Sequence, residues 1–472
     1  MQARNICPAR RVVAGTVREF SLLVLALGAL AGMPALAAPP MLTQVTGPAP
    51  LPRPALADAP ADPAGVRHVA VQGLNMREAV GIAISRHPDI SRANAVIAQS
   101  TSEVAVAQAA WYPRLEYGVR PGYGGTFGTG GNSAGARASV GVSQLVYDFG
   151  RTSSRIAAAD ATLNRNRHLL ADSIETVAAN TAATFVDLAA SQEIVIAAQR
   201  QIEALSAIRG KIGDRVRAGL SVSSDRNMAD VAIQRARADE LKARSRFDVS
   251  ATRLAELIGV RPQRVAELVT ADADVRGLGD ERGNIEQTPS VLAAGAAVEA
   301  ASAHVTQAEA ERFPAISVGV SRSVSTGPTN ANDDTWVGVQ IAGDFSLGGL
   351  NRHRIAAAKA EQRAALDSLD NERLQARTAL NAAATEAAGA WARKASFEEV
   401  IGLLRASRDL YWQEYMLNKR TLTDVINPER EIFIAEQERV TAIADSMLAR
   451  IRAHVAVGRF VELLREQDLA SH

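Results

Sequence analysis

Few residues in this chain have catalytic or ligand-binding potential, and their spacing argues against an enzyme. Seven histidines (68, 87, 168, 304, 353, 454 and 472) are scattered, with no close pair at the spacing of a zinc site. The glycine-rich GTGGNSAGAR at 128–137 lacks the Lys-Ser/Thr ending of a phosphate loop and reads as a hairpin loop. The single cysteine, Cys7, lies near the N-terminus, so the rest of the chain holds no thiol, disulfide or cysteine metal site. No cofactor is called for. Two polar segments remain, GLSVSSD at 219–225 and NKRTLTD at 418–424. Their Ser/Thr-Asp endings suit helix N-caps: Ser224 with Asp225, and Thr423 with Asp424.

The elements that position these segments follow from composition. Apolar residues make up 47% of the 472, but aromatics only 4%. The apolar content is therefore mostly Ala, Leu, Val and Ile, which favours long, closely packed helices over a bulky globular core. The formal charge of +1 carries no basic block, so no nucleic-acid partner is indicated. Arg4, Arg10, Arg11 and Arg18 precede an apolar run from Leu22 to Met33, and Ala35-Leu36-Ala37 completes the plan of a secretory signal peptide over 1–37. The alternative is a membrane anchor, for which the run is short. Cleavage after Ala37 removes four Arg and one Glu, taking the charge from +1 to −2. No cysteine stands at the cleavage point for a lipid. No later stretch reaches about 18 uninterrupted apolar residues, so any membrane crossing is expected to use strands.

Residues 38–73, rich in Pro, Ala and Gly, read as an extended leader, and 271–288 as a linker. An internal repeat divides the rest into 74–270 and 289–472. WYPRL at 111–115 answers RFPAI at 312–316, RIAAADA at 155–161 answers RIAAAKA at 354–360, and the two polar segments answer each other. Each half is expected to contain a helix (74–111; 289–312) stopped by Pro113 or Pro314. A strand pair follows, then a very long helix (151–218; 351–417), a polar break and a further helix (223–259; 421–458). Ile156, Leu163, Leu170 and Val177 recur every seven residues, a coiled-coil spacing, with Ala at many other inward positions.

The strands alternate. Leu115, Tyr117 and Val119 oppose Glu116, Gly118 and Arg120. Ile316, Val318 and Val320 oppose Ser317, Gly319 and Ser321. Val337, Val339, Ile341, Phe345 and Leu347 continue the pattern in the last strand. One apolar and one small or polar face fits a membrane β-barrel with a wet lumen, and equally a half-buried soluble sheet. The phase slips near Gln144, where a bulge or the end of the barrel is expected. Trp111, Trp336 and Tyr147 are candidates for an interfacial belt, with ordinary packing the equal alternative. Four strands are too few to close a useful barrel, which takes about eight. The barrel reading therefore requires an oligomer.

The chain resembles outer-membrane channel-tunnels of the TolC family over about residues 74–460. The resemblance rests on QLVYDFGRTSSRIAAAD, VGVQIAGDFSLGG, RVRAGLSVSSDRNMADVAIQRAR, EYMLNKRTLTDVINPERE and the duplication itself. It implies a mainly α fold with a small β portion. A long coiled α-helical barrel is continued by a transmembrane β-barrel shared among three protomers, four strands each. It implies a homotrimer in outer-membrane lipid, extending into the periplasm, that acts as a passive conduit for an exported substrate. The partners would be a periplasmic adaptor and an inner-membrane ABC transporter. Type I protein secretion is favoured by the missing lipid cysteine and the YDFGRT motif. Small-molecule efflux with a proton-driven pump is the alternative, and a soluble periplasmic coiled-coil scaffold the third reading.

The resemblance also places a gate at the periplasmic tip, in a polar network of Ser224, Asp225, Tyr415, Arg420 and Asp424. Arg420 is expected to bind a carboxylate such as Asp225, and three copies of Asp424 to form an acidic ring. The sequence departs from the family at Asn427 and Pro428, where a second acidic residue is usual. It departs again at Asn418, in place of Gly, and in GDFSLGG, which lacks a Pro.

Overall fold

The computed structural model describes residues 72–124, 133–268, 284–326, 333–344 and 346–470. The signal peptide, the leader and most of the linker lie outside the described residues.

In the first half, β1 (Gln72–Leu74) leads into α1 (Met76–Arg86) and α2 (Pro88–Gln108). The expected single helix is thus two. Pro88 removes a backbone donor, and His87 breaks the run in extended geometry and caps α2 by accepting the Asp89 N–H at 3.2 Å. The hairpin β2 (Arg114–Gly124) and β3 (Ser133–Tyr147) follows, then α3 (Arg151–Arg217), α4 (Ser223–Ile258) and β4 (Arg264–Val265). The second half gives α5 (Pro289–Ala310), β5 (Ala315–Thr326), β6 (Asp333–Ala342), α6 (Leu350–Met416), α7 (Leu422–Ala456) and α8 (Phe460–Ala470).

Both α3 and α6 are 67 residues long, about 100 Å at 1.5 Å per residue. Leu163 and Val177 of the seven-residue series are buried, and Ile156 and Leu170 half-buried. On α6 the heptad seam is alanine: Ala376, Ala383 and Ala390 are buried, so the neighbouring helix can approach closely. The stretch of α3 apolar enough to cross a membrane is more than half buried inside the protein.

The main core lies midway along the helices. Met76, Val80, Phe185, Leu188, Leu254, Ile258, Met447, Ile451 and Phe460 come together there from five helices. Side chains of α3 also bind backbone at this level. Gln192 both donates to the Val265 carbonyl and accepts from its N–H, each at 3.1 Å, completing an edge of β4 that β1 leaves unpaired. Glu175 accepts from the N–H groups of Phe460 and Val461 at 3.2 Å, capping α8.

The larger sheet has the order β2-β3-β5-β6, antiparallel throughout. Directly opposed residues share a face, so the register assigns both faces. One carries the largely apolar rows Leu115–Val142–Val320–Val337, Gln144–Val318–Val339 and Tyr147–Ile316–Ile341, and nearer the hairpins the mixed row Tyr117–Val140–Arg322–Thr335. The other carries Arg114–Ser143–Gly319–Gly338, Glu116–Gly141–Ser321–Trp336 and Gly118–Ser139–Ser323–Asp334. The register shift between Leu145 and Tyr147 is the expected bulge, and it returns Tyr147 to the apolar face.

Three expectations change here. Trp336 lies on the polar face, in a row with Glu116 and Ser321, and so on the opposite face from Tyr147. A Cβ on Gly319 or Gly338 would meet its ring at 3.2 and 3.0 Å, so the missing side chains make room for the indole. The last strand ends at Ala342 rather than running to Leu347, which is 96% exposed in the following turn; Phe345 is outside the described residues. Half of the glycine-rich segment, from Ser133, belongs to β3.

The two corners between sheet and long helix differ. Buried Asp148 accepts from the N–H groups of Gly150 (3.3 Å) and Thr152 (2.7 Å), opening α3. Phe149 stacks on Phe313 at 4.9 Å and meets Tyr147 edge-on at 4.8 Å. Before α6, a Gly349 N–H to Ser346 carbonyl turn stands in that place, and Gly349 forms no side-chain cap.

Candidate functional site: the helical tip

The two helix–turn–helix tips, α3–α4 and α6–α7, lie side by side. Both long helices end alike. The Leu220 N–H returns to the Arg215 carbonyl at 2.8 Å, and the Lys419 N–H to the Glu414 carbonyl at 2.9 Å. The residue that reverses the chain has positive φ in both: Gly219 at 73° and Asn418 at 56°. Asn tolerates this geometry better than most side chains, which is why it can stand in for Gly.

Tyr415 links the tips. It is buried, and its ring sits near Ile208, Ile212, Ala229, Leu422 and Val425. Its hydroxyl donates to Asp225 Oδ2 at 3.2 Å and lies 3.1 Å from Ser221 Oγ. Arg215 reinforces the link: it donates to Ser221 Oγ (3.1 Å), the Leu220 carbonyl (3.3 Å) and Asn418 Oδ1 (3.2 Å), with its guanidinium 5.2 Å from the Tyr415 ring centre. Lys211 stands over Trp412 at 4.8 Å, and Arg420 over Tyr411 at 4.3 Å. Cations thus lie over three α6 aromatics, two of them reaching across from α3. Such contacts contribute about 0.5–1 kcal/mol each where exposed.

The five residues expected at the gate are distributed as follows. Tyr415 and Asp225 are joined directly. Ser224 is exposed in the first turn of α4, whose N-cap is Val222 without a side-chain cap. Within the chain Arg420 pairs with Glu414, Nε to Oε2 at 2.8 Å, and not with Asp225. That bond raises the pKa of the Arg420 guanidinium further. Asp424 belongs to a capping box: it accepts from the Thr421 hydroxyl (2.8 Å) and N–H (3.0 Å), and Thr421, not Thr423, is the N-cap. The Thr421 hydroxyl, then its N–H, holds the Asp424 carboxyl below the usual range.

Arg215, Ser221, Glu414 and the three aromatic–cation pairs were not visible from sequence. Arg215 and Asn418 are 203 residues apart, and no local pattern joins them. The Tyr411-Trp412-Tyr415 cluster at a helix end was the available signal. No group of His, Cys, Asp or Glu among the described residues could hold a metal.

A sheet with one apolar face, continuous with helices of about 100 Å, defines a class: the protomer of an outer-membrane channel whose helices reach into the periplasm. The chain belongs to the outer membrane efflux protein family, whose profile matches residues 79–260 and 284–457. It is similar to the outer membrane efflux protein BepC of Brucella suis, 23% identical over 370 residues, covering 75% of this chain and 79% of that one. It is also similar to the protein CyaE of Bordetella pertussis, 26% identical over 319 residues, 64% of this chain and 66% of that one. Among solved structures it shares its fold with CusC, described as forming a transmembrane channel. The TM-score is 0.73 at 16% identity, over 90% of this chain and 98% of that one. The family and its structural neighbours are channels and not enzymes.

Proposed function

We propose that three copies of this chain form one passive conduit from periplasm to exterior. The observation that carries this is the four-stranded sheet. β2 and β6 are its edges, each pairing on one side only, and four strands are about half of the smallest useful barrel. Joining β6 of one copy to β2 of the next removes every edge. The apolar rows then face lipid, and the polar rows with Glu116, Arg114 and Ser139 line water. A strand pair running into a 100 Å helix continues the same passage across the periplasm.

At the far end, Ser224, Asp225, Tyr415, Arg420 and Asp424 constitute the gate, with Arg215 as a further member. The Tyr415–Asp225 bond holds the two tips of one protomer together. Arg420 and the exposed Ser224 remain on the surface that meets neighbouring copies. Asp424 has a structural task in its capping box, and the acidic ring of three copies is a second consequence of its position.

The cargo route favoured is type I protein secretion, with a periplasmic adaptor and an inner-membrane ABC transporter. That no cysteine stands at the expected cleavage point, together with the YDFGRT motif, supports it. Efflux of small molecules with a proton-driven pump is the second reading, favoured by the similarity to BepC. Deleting the gene separates them. Loss of a secreted protein from the medium with unchanged drug tolerance supports secretion. Lowered drug tolerance with normal secretion overturns it in favour of efflux.

A further inference from the structure

The polar face of the sheet carries a feature with no role so far. Arg120 on β2 and Arg137 on β3 are direct cross-strand partners, and Ser325 on β5 continues their row. Like charges placed directly opposite destabilise a strand pair. Nothing nearby offsets this one. Both side chains are exposed, and no ion pair among the described residues involves either. Residues 121–136, which connect them through the hairpin, contain no charged side chain, nor do 323–332 in the second hairpin. The counter-charges on this face are Glu116, four residues back on β2, and Asp334 on β6. Asp334 lies one row below and is separated from β3 by β5. Arg120 stands six residues beyond Arg114 at the helix end of its strand, roughly 20 Å along it. The pair is therefore at the outer end of the sheet, opposite to the tip that carries Asp225 and Asp424.

We propose that Arg120 and Arg137 form a cationic band at the external end of the passage that attracts carboxylate-bearing cargo. The inference rests on the three-copy barrel above. In that barrel the band holds six guanidiniums against three Asp334 carboxylates one row below. A wet bore with low-dielectric walls focuses such a field. Guanidinium forks match carboxylates in geometry as well as charge. The two ends of the conduit then differ, mixed in charge at the gate, where Arg215 and Arg420 accompany Asp225 and Asp424, and basic at the exit. An acidic polypeptide emerging from the gate meets an attractive band before release. The small side chains of the adjoining rows (Gly118, Ser139, Ser323) leave the guanidiniums unobstructed.

The test uses the purified full chain in planar bilayers, with oligo-glutamate added to each side in turn. In about 0.1 M salt, where fields reach about 10 Å, oligo-glutamate is expected to block from the hairpin side, and oligo-lysine is not. R120S/R137S should need about tenfold more oligo-glutamate for half-block. R120K/R137K should retain the block, and D334N should strengthen it. Unchanged open-channel conductance shows that each variant has folded. Equal half-blocking concentrations for wild type and R120S/R137S, in channels that conduct normally, overturn the band and leave the conduit standing. A protein that forms no channels at all overturns both.

Discussion

The helices α3 and α6 have the same length and similar alanine-rich composition, yet they do opposite things. α3 is buried along most of its length by α1, α2, α4, α5 and α7, and Phe185, Val186, Leu188, Ala198 and Ile212 are fully enclosed. α6 packs mainly against α5 and α7 through its narrow alanine seam, and leaves Leu374, Leu403 and Leu410 about 60% exposed. Length and composition therefore do not set burial; the number of partners does. Within one chain, α3 is the core of the protomer. α6 is a wall with an open apolar side, which the three-copy conduit would cover.

The largest effect should separate these helices most sharply. Phe185→Ala removes an enclosed ring and is expected to cost about 3–5 kcal/mol of stability. Leu374→Ala, on the open face, should change protomer stability by less than about 0.5 kcal/mol but weaken the oligomer. Denaturant unfolding and native mass measurement read the two. Equal destabilisation by both would erase the distinction.

A second contrast is in pH. Burial, the dominant influence, pushes the Glu175 carboxyl up to about 7 against the opposing Phe460 and Val461 N–H bonds; Asp172 and Glu462 raise it further. A raised folded-state pKa means that its contribution is fully present below the ordinary carboxylate pKa, near 4.5, and lost as pH rises through about 7. The effect is bounded by about 3 kcal/mol. Proteolysis within α8 should therefore be slower at mildly acidic than at alkaline pH, and Glu175→Gln should flatten the dependence. Asp424 runs the other way. Its lowered pKa supports the start of α7 above the usual carboxylate range and withdraws that support in acid.

The hairpins also differ in how they are held. α6 and α7 are joined by Arg393–Asp445 (2.7 Å), Arg405–Glu436 (2.7 Å) and Arg408–Glu429 (3.5 Å), with Glu436 and Glu429 buried. On the first hairpin, Arg209–Asp230 at 2.5 Å is the matching ion pair between α3 and α4, and both partners are about 40% exposed. Arg405→Ala leaves a buried carboxylate without its partner and should cost about 1–3 kcal/mol. Arg209→Ala should cost at most about 1 kcal/mol and less in high salt. Thermal melts at two salt concentrations decide whether the second hairpin is the more electrostatic.

Much of this fold was legible in the sequence, because Gly, Pro and Asn mark its joints. The ends of α3 and α6 fall within a residue or so of expectation, at Gly150 and Gly349 and again at Gly219 and Asn418. The alternation of β2 and β5 gave their faces, and the phase slip at Gln144 pointed to the bulge. The break at His87–Pro88 was missed because the apolar period runs through it. The face of Trp336 was already set by the alternation that puts Val337 and Val339 on the other side; only the room that Gly319 makes for its ring, on the neighbouring strand, needed the register. At the tip, Asp225 and Tyr415 were named, but their bond depends on a side-by-side arrangement of two distant turns. Arg215 has no local signature, and the choice of Glu414 by Arg420 follows from the reversal at Asn418.

The central claim is a conduit held shut where the two tips meet. Its most direct test is single-channel conductance of the detergent-extracted protein, wild type against Tyr415→Phe combined with Arg215→Ala. A small wild-type conductance that rises severalfold in the double variant is the predicted result. Wild-type channels already wide open and unchanged by the substitutions would contradict the gate, and reproducible absence of channels would contradict the conduit.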